Sequence, residues 1–147
     1  MVGAVGPVAE PAAVPFASQA WVDALHARAA ADEELLESLT GFEGPLVVEV
    51  LPEPGRLPAG RSLWVDARQG RIHAMRLQVR ADERPARFVV SASYAVWEDI
   101  VRRRRGLLRA LLLGRLRVRG EKAALLRHAR TAAALARLLG EIPTAFD

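Results

Sequence analysis

The three histidines, Ser91 and Ser93, and the adjacent carboxylates Glu98 and Asp99 are the first side chains to weigh for chemistry. His26, His73 and His128 could each serve as a base or a metal ligand, but no two stand at a metal-binding spacing and the 147-residue chain has no cysteine to join them. His128 sits at the edge of an apolar helical stripe and reads more simply as a hydrogen-bonded core histidine. Ser91 and Ser93 lack the glycine-flanked turn of a nucleophile elbow, and no Asp and His are placed to complete a triad. Glu98 and Asp99 are consecutive, so on a helix they point to different faces and form no cooperating pair. The sequence therefore predicts no catalytic set, no metal site and no cofactor, and the chain is not expected to be an enzyme.

What remains for binding is charge and apolar surface. Lys122 is the only lysine beside 20 arginines, and the formal net charge is +4. The densest run, Arg102, Arg103, Arg104 and Arg105, offers guanidinium groups to an anionic head group or diphosphate; the plainer alternative is a solvated helix end whose cations complement the C-terminal dipole. Nucleic-acid binding would want arginines interleaved with exposed aromatics or a recognition helix, and neither is present. With 51% hydrophobic residues, a chain of this size can bury one sizeable core.

The elements that must position these residues follow from periodicity. Residues 1–15 are apolar but contain Glu10, Pro7, Pro11 and Pro15 and no basic start, so they read as a flexible leader rather than a signal or a membrane span, and a cytoplasmic location is expected. Ser18 caps a helix carrying Trp21, Val22, Leu25 and Ala29, and Asp32 opens a second with Leu35, Leu36 and Leu39. β-branched runs at residues 46–51, 62–67, 71–80 and 87–92 predict four strands, with Gln69-Gly70 as a hairpin turn and an antiparallel meander as the simplest order. Tyr94, Trp97, Ile100 and Val101 share one face of a following helix. Residues 107–113 form a short helix so leucine-rich that it must be covered on most sides. Residues 115–119 alternate as a strand with Leu116 and Val118 inward. A last helix over 121–139 carries Leu125, Ala129, Ala132, Leu135, Ala136 and Leu139 on one stripe. This order predicts an α+β fold: a five-stranded, mostly antiparallel sheet with helices packed on one face.

The segment from Ala110 to Leu126, ALLLGRLRVRGEKAALL, resembles the C-terminal signature of the sterol carrier protein type two family, the nonspecific lipid-transfer proteins: an apolar turn, Gly, a basic-apolar alternating strand, Gly, then a helix that starts polar and turns apolar. YAVWEDI at 94–100, the Gln69-Gly70 hairpin, the Gly44-Pro45 entry to the first strand and IPTAF at 142–146 fit the same order. The resemblance covers residues 16–147, taken as one lipid-binding domain, and Gly114 to Gly120 is its most specific stretch. It implies an apolar cavity between sheet and helices that accepts a hydrophobic ligand, whether fatty acid, fatty acyl-CoA or sterol-like lipid.

On that basis Trp97, Ile100, Val101, Leu107, Leu108, Leu111 and Leu112 are expected to line one wall of the cavity, with Met75, Leu77 and Val90 opposite. The partner is a hydrophobic small molecule, with transient contact to an anionic membrane surface or an acyl-CoA enzyme, and with no nucleic acid. A different reading of the same fold also stands: an accessory or protein-interaction module whose cavity has collapsed, in which the leucines are ordinary core.

Overall fold

A computed structural model describes residues 12–120, 123 and 126–146. The chain begins with a two-residue strand β1 (Val14–Pro15), then α1 (Gln19–Ala31) and α2 (Glu33–Ser38). Both predicted caps are present: Ser18 Oγ accepts from Trp21 N and Asp32 accepts from Leu35 N, each satisfying an amide that the first turn leaves unpaired. Asp32 also accepts from Arg137 Nη2 at 2.7 Å. The Arg137 hydrogen bond, ahead of the capping bond, holds the Asp32 carboxyl below its ordinary pKa and ties α2 to the last helix.

Five strands follow: β2 (Leu46–Val50), β3 (Arg61–Arg68), β4 (Arg71–Gln78), β5 (Phe88–Ala92) and, after two helices, β6 (Arg117–Gly120). Gln69 and Gly70 join β3 to β4 with φ of +53° and +73°, the pair of left-handed residues that a tight hairpin in a twisted sheet requires. The sheet order is β4-β3-β2-β5-β6, and β5 runs parallel to β2 while the other neighbours are antiparallel.

The predicted simple meander is thus incorrect at one step. β5 does not pair with β4; it crosses to the far side of β2. That distance is three strand spacings, roughly 14 Å, which the connection over residues 79–87 spans easily. The connection is held on the outer face of the sheet, where Trp64 Nε1 donates to the Pro85 carbonyl at 3.0 Å and the Arg84 guanidinium lies over the Trp64 ring.

The two helices before β6 are α3 (Tyr94–Val101), capped by Ser93, and α4 (Leu107–Leu112). The last helix is shorter than predicted. α5 spans Ala129–Glu141 and is preceded by a turn at Arg127–His128, where the His128 backbone leaves the helical region; Ala123 and Leu126 are helical, whereas 121, 122, 124 and Leu125 lie outside the described residues. α5 packs against α1, α2, α3 and α4.

After α5 the chain closes on its own beginning. β7 (Thr144–Ala145) pairs in parallel with β1, so Val14 and Pro15 are built into the domain although the sequence assigns them to the leader. Trp21 Nε1 donates to Thr144 Oγ1 at 3.0 Å, and Phe16, Tyr94 and Phe146 meet through their rings. The Gly114–Gly120 stretch has a physical basis: both glycines have left-handed φ, and a side chain at Gly120 would run into the carbonyl of Arg87, the residue just before neighbouring β5.

Candidate functional site

The inward face of the sheet is built in cross-strand rows. Leu77, Leu63, Val48, Val90 and Val118 stand side by side across β4, β3, β2, β5 and β6, and Met75, Val65 and Leu46 form the next row. These residues are one side of a cavity of about 150 Å³ whose other side is made by the helices: Trp21, Val22 and Leu25 of α1, Trp97 and Val101 of α3, Leu107, Leu108 and Leu111 of α4, and Leu135 and Leu139 of α5. Val48 and Val90 are on central strands and point inward, yet both are half-buried rather than buried. The surface left to them is cavity wall.

Of the residues singled out by sequence, Met75, Leu77, Val90, Trp97, Val101, Leu107, Leu108 and Leu111 are brought together around this space. Ile100 and Leu112 are not. Ile100 is buried in a second apolar cluster with Tyr94, Ala110 and Leu116 and does not reach the cavity wall. Leu112 points away from the protein and is 72% exposed.

The expected covering of the leucine-rich helix is likewise incorrect. Leu108, Leu112 and Leu113 are all exposed, and Ala110 is the one fully buried residue of α4. A helix of six residues at the rim of a cavity can turn only one face inward, and the remaining leucines face outward. Leu108 and Leu126 are at once cavity wall and outer surface, at 41% and 40% exposed, and so mark the cavity's mouth.

The polar tips near the cavity are mostly satisfied elsewhere. Trp97 Nε1 donates to the Glu49 carbonyl at 2.9 Å, which leaves its ring to the apolar side. Thr131 and Ser38 share a hydrogen bond between α5 and α2. His128 does not sit inside a helix as predicted; it precedes α5, edge-on to the Phe42 ring, and lines the cavity. Arg61 also lines it, a residue the sequence reading passed over. Its signal was parity: residues 61, 63, 65 and 67 share a strand face, and the last three are buried apolar side chains.

The groups considered for chemistry are dispersed. Ser91 Oγ donates to Glu49 Oε1 and Ser93 caps α3. Glu98 pairs with Arg56 and Arg102, while Asp99 pairs with Arg104 and Arg105. Arg103 Nη2 donates to the Arg137 carbonyl. The four arginines are therefore engaged by the molecule itself and do not converge on the cavity mouth. No group of His, Asp and Glu able to hold a metal ion exists among the described residues, and none of the described helices is long and apolar enough to cross a membrane.

The model of the SCP-2 sterol transfer family matches residues 22–133. A crystal structure of sterol carrier protein 2 superposes with a TM-score of 0.79 at 28% identity, covering 86% of this chain and 98% of the other. A solution structure from Thermus thermophilus, described as possibly a sterol carrier protein, gives a TM-score of 0.79 at 26% identity and covers 92% and 94%. The apo sterol carrier protein 2 of Yarrowia lipolytica, at 16% identity and a TM-score of 0.55 over 88% and 94%, shares the fold. No curated protein sequence matches.

Proposed function

Since this chain belongs to the SCP-2 sterol transfer family, we propose that it binds a hydrophobic molecule in the cavity between sheet and helices and passes it on without covalent chemistry. The observation that carries this reading is the unbroken apolar row Leu77, Leu63, Val48, Val90 and Val118, whose first four members pack into the core and which also lines the space left between sheet and helices. Natural cores rarely leave such space unfilled, and each methylene buried there gains roughly 0.8 kcal/mol.

At about 150 Å³ the cavity is smaller than the roughly 300–1,000 Å³ of pockets that enclose a whole drug-sized ligand. A long ligand therefore runs out through the mouth at Leu108 and Leu126, or α4 shifts to admit it. The same small volume favours a second reading, an accessory module with a largely collapsed cavity. The mouth adjoins an apolar patch, Leu108, Leu112 and Leu113, flanked by Arg109, Arg115 and Arg127, which form no ion pair with described residues. That combination suits an anionic bilayer as the place where ligand is collected, and it replaces Arg102–Arg105 as the charged contact.

Native mass spectrometry of protein purified from cells, with displacement of a fluorescent fatty acid, tests the choice. A co-purifying hydrophobe and saturable displacement are expected. Consistent recovery of empty protein that displaces nothing would leave the accessory module.

A further inference from the structure

One fixed charge stands among the described residues of the cavity wall. Among the described lining residues, Arg61 is the single arginine and there is no Asp, Glu or Lys. Of the other polar residues on the wall, Thr131 is bonded to Ser38, His128 rests against Phe42, and Ser62 belongs by strand alternation to the opposite face of the sheet. Arg61 is opposite Val50 in the row that continues to Ala92, on the inward side. Its Nη1 donates to the Ala17 carbonyl at 3.1 Å, and it has no carboxylate partner among the described residues. A guanidinium has five N–H donors, so most of its capacity is unspent.

Arg61 is half-buried, so its guanidinium is solvated on one side and open to an anion on the side that faces the apolar space. Arg56, Arg68, Arg102 and Arg137 each have a carboxylate within 4.0 Å, whereas Arg109, Arg115 and Arg127, which have none among the described residues, are exposed on the outer surface. Arg61 differs from them in facing the cavity with no acid beside it.

We infer that Arg61 anchors the carboxylate of the ligand, so that the cavity prefers a free fatty acid over a sterol, an alcohol or an acyl thioester. An ionised carboxylate can accept two parallel N–H bonds from a guanidinium, a geometry that a hydroxyl or a thioester carbonyl cannot reproduce. The hydrocarbon tail then lies along the apolar rows. This assignment rests on the lipid-binding reading above and narrows it to one ligand class.

Binding of dodecanoic acid, 1-dodecanol and methyl dodecanoate to the full chain, followed through the fluorescence of Trp21 and Trp97 on the cavity wall, tests it. The wild-type protein should bind the acid about ten-fold more tightly than the alcohol or the ester, the scale of one charge-assisted hydrogen bond. Arg61→Met should remove that preference and leave the alcohol unchanged, whereas Arg61→Lys should keep part of it. Equal binding of acid and alcohol by wild-type protein would overturn the anchor while leaving the cavity reading intact, and this comparison needs no variant to fold. An Arg61→Met protein that loses acid and alcohol alike would show that Arg61 only holds the Ala17 carbonyl in place. If none of the three binds wild-type protein, the lipid-binding reading falls and the anchor with it.

Discussion

α3 and α4 follow one another in the chain, and their fates are opposite to their compositions. α3, YAVWEDIV, contains two carboxylates, yet Tyr94, Trp97, Ile100 and Val101 are all buried. α4, LLRALL, has one polar residue, yet of its six residues only Ala110 is buried. Periodicity explains the difference. The apolar residues of α3 recur at three- and four-residue steps, so one stripe meets the protein while Glu98 and Asp99 turn to the arginines outside. α4 has leucine on every side, so its composition does not specify which face goes in. Position in the fold decides that, and a short helix at a cavity rim buries one side.

The largest effect that would separate the two helices is on stability. Trp97→Ala should cost about 3–5 kcal/mol, through lost burial, a new void and the loss of the hydrogen bond to the Glu49 carbonyl. Leu112→Ser should stay within about 0.5 kcal/mol of wild type, since the side chain is largely in solvent already. Paired urea denaturation curves measure both. Comparable losses would mean that α4 is covered after all and that the contrast is false.

A sharper form of the comparison lies within α4 itself. Ala110 is fully buried and belongs to the cluster of Trp97, Ile100 and Leu116, so a larger side chain there must displace its neighbours. Ala110→Leu should destabilise the protein by roughly 1–3 kcal/mol through overpacking, although it makes the helix more hydrophobic. A neutral outcome in thermal unfolding would show that α4 is loosely seated.

Much of this arrangement was legible from residues alone. Ser18, Asp32 and Gln69-Gly70 are local devices whose chemistry acts within a few residues, and each stands where its sequence places it. The inward turn of Val118 could be read for the same reason, whereas Leu116, predicted in the same strand, is buried just before β6 begins. The parallel step from β4 to β5 could not, because residues 79–87 are long enough for either route and the choice depends on which strand edge is free. The break at His128 was hidden because residues on both sides of it have helical spacing. Around the cavity, strand parity and helix period are local signals, and they suffice to bring Met75, Leu77, Val90, Trp97 and Val101 to its wall. Ile100 and Leu112 lie elsewhere because which flank of a helix meets a cavity depends on its neighbours. Arg61 was missed because an arginine at a strand end reads as solvent-facing until the inward parity of Leu63, Val65 and Ala67 is extended by one step.

The smallest effect on stability should carry the most functional information. Replacing Leu112 and Leu113 together by Ser removes exposed apolar surface beside the cavity mouth, so folding should be almost unchanged. If the outward face of α4 meets a bilayer, the same change should weaken sedimentation with vesicles containing phosphatidylglycerol by about ten-fold, because each leucine gives up part of the roughly 1.5–3 kcal/mol that full burial of its side chain yields. Binding should also fall as salt rises, through screening of Arg109, Arg115 and Arg127, and should be weaker on neutral phosphatidylcholine. The corresponding change in α3, Trp97→Ala, should lower vesicle binding only to the extent that it unfolds the protein. Vesicle binding that is indifferent to Leu112 and Leu113 would make the exposed leucines of α4 a property of a short rim helix and nothing more, and the two helices would then differ in packing but not in role.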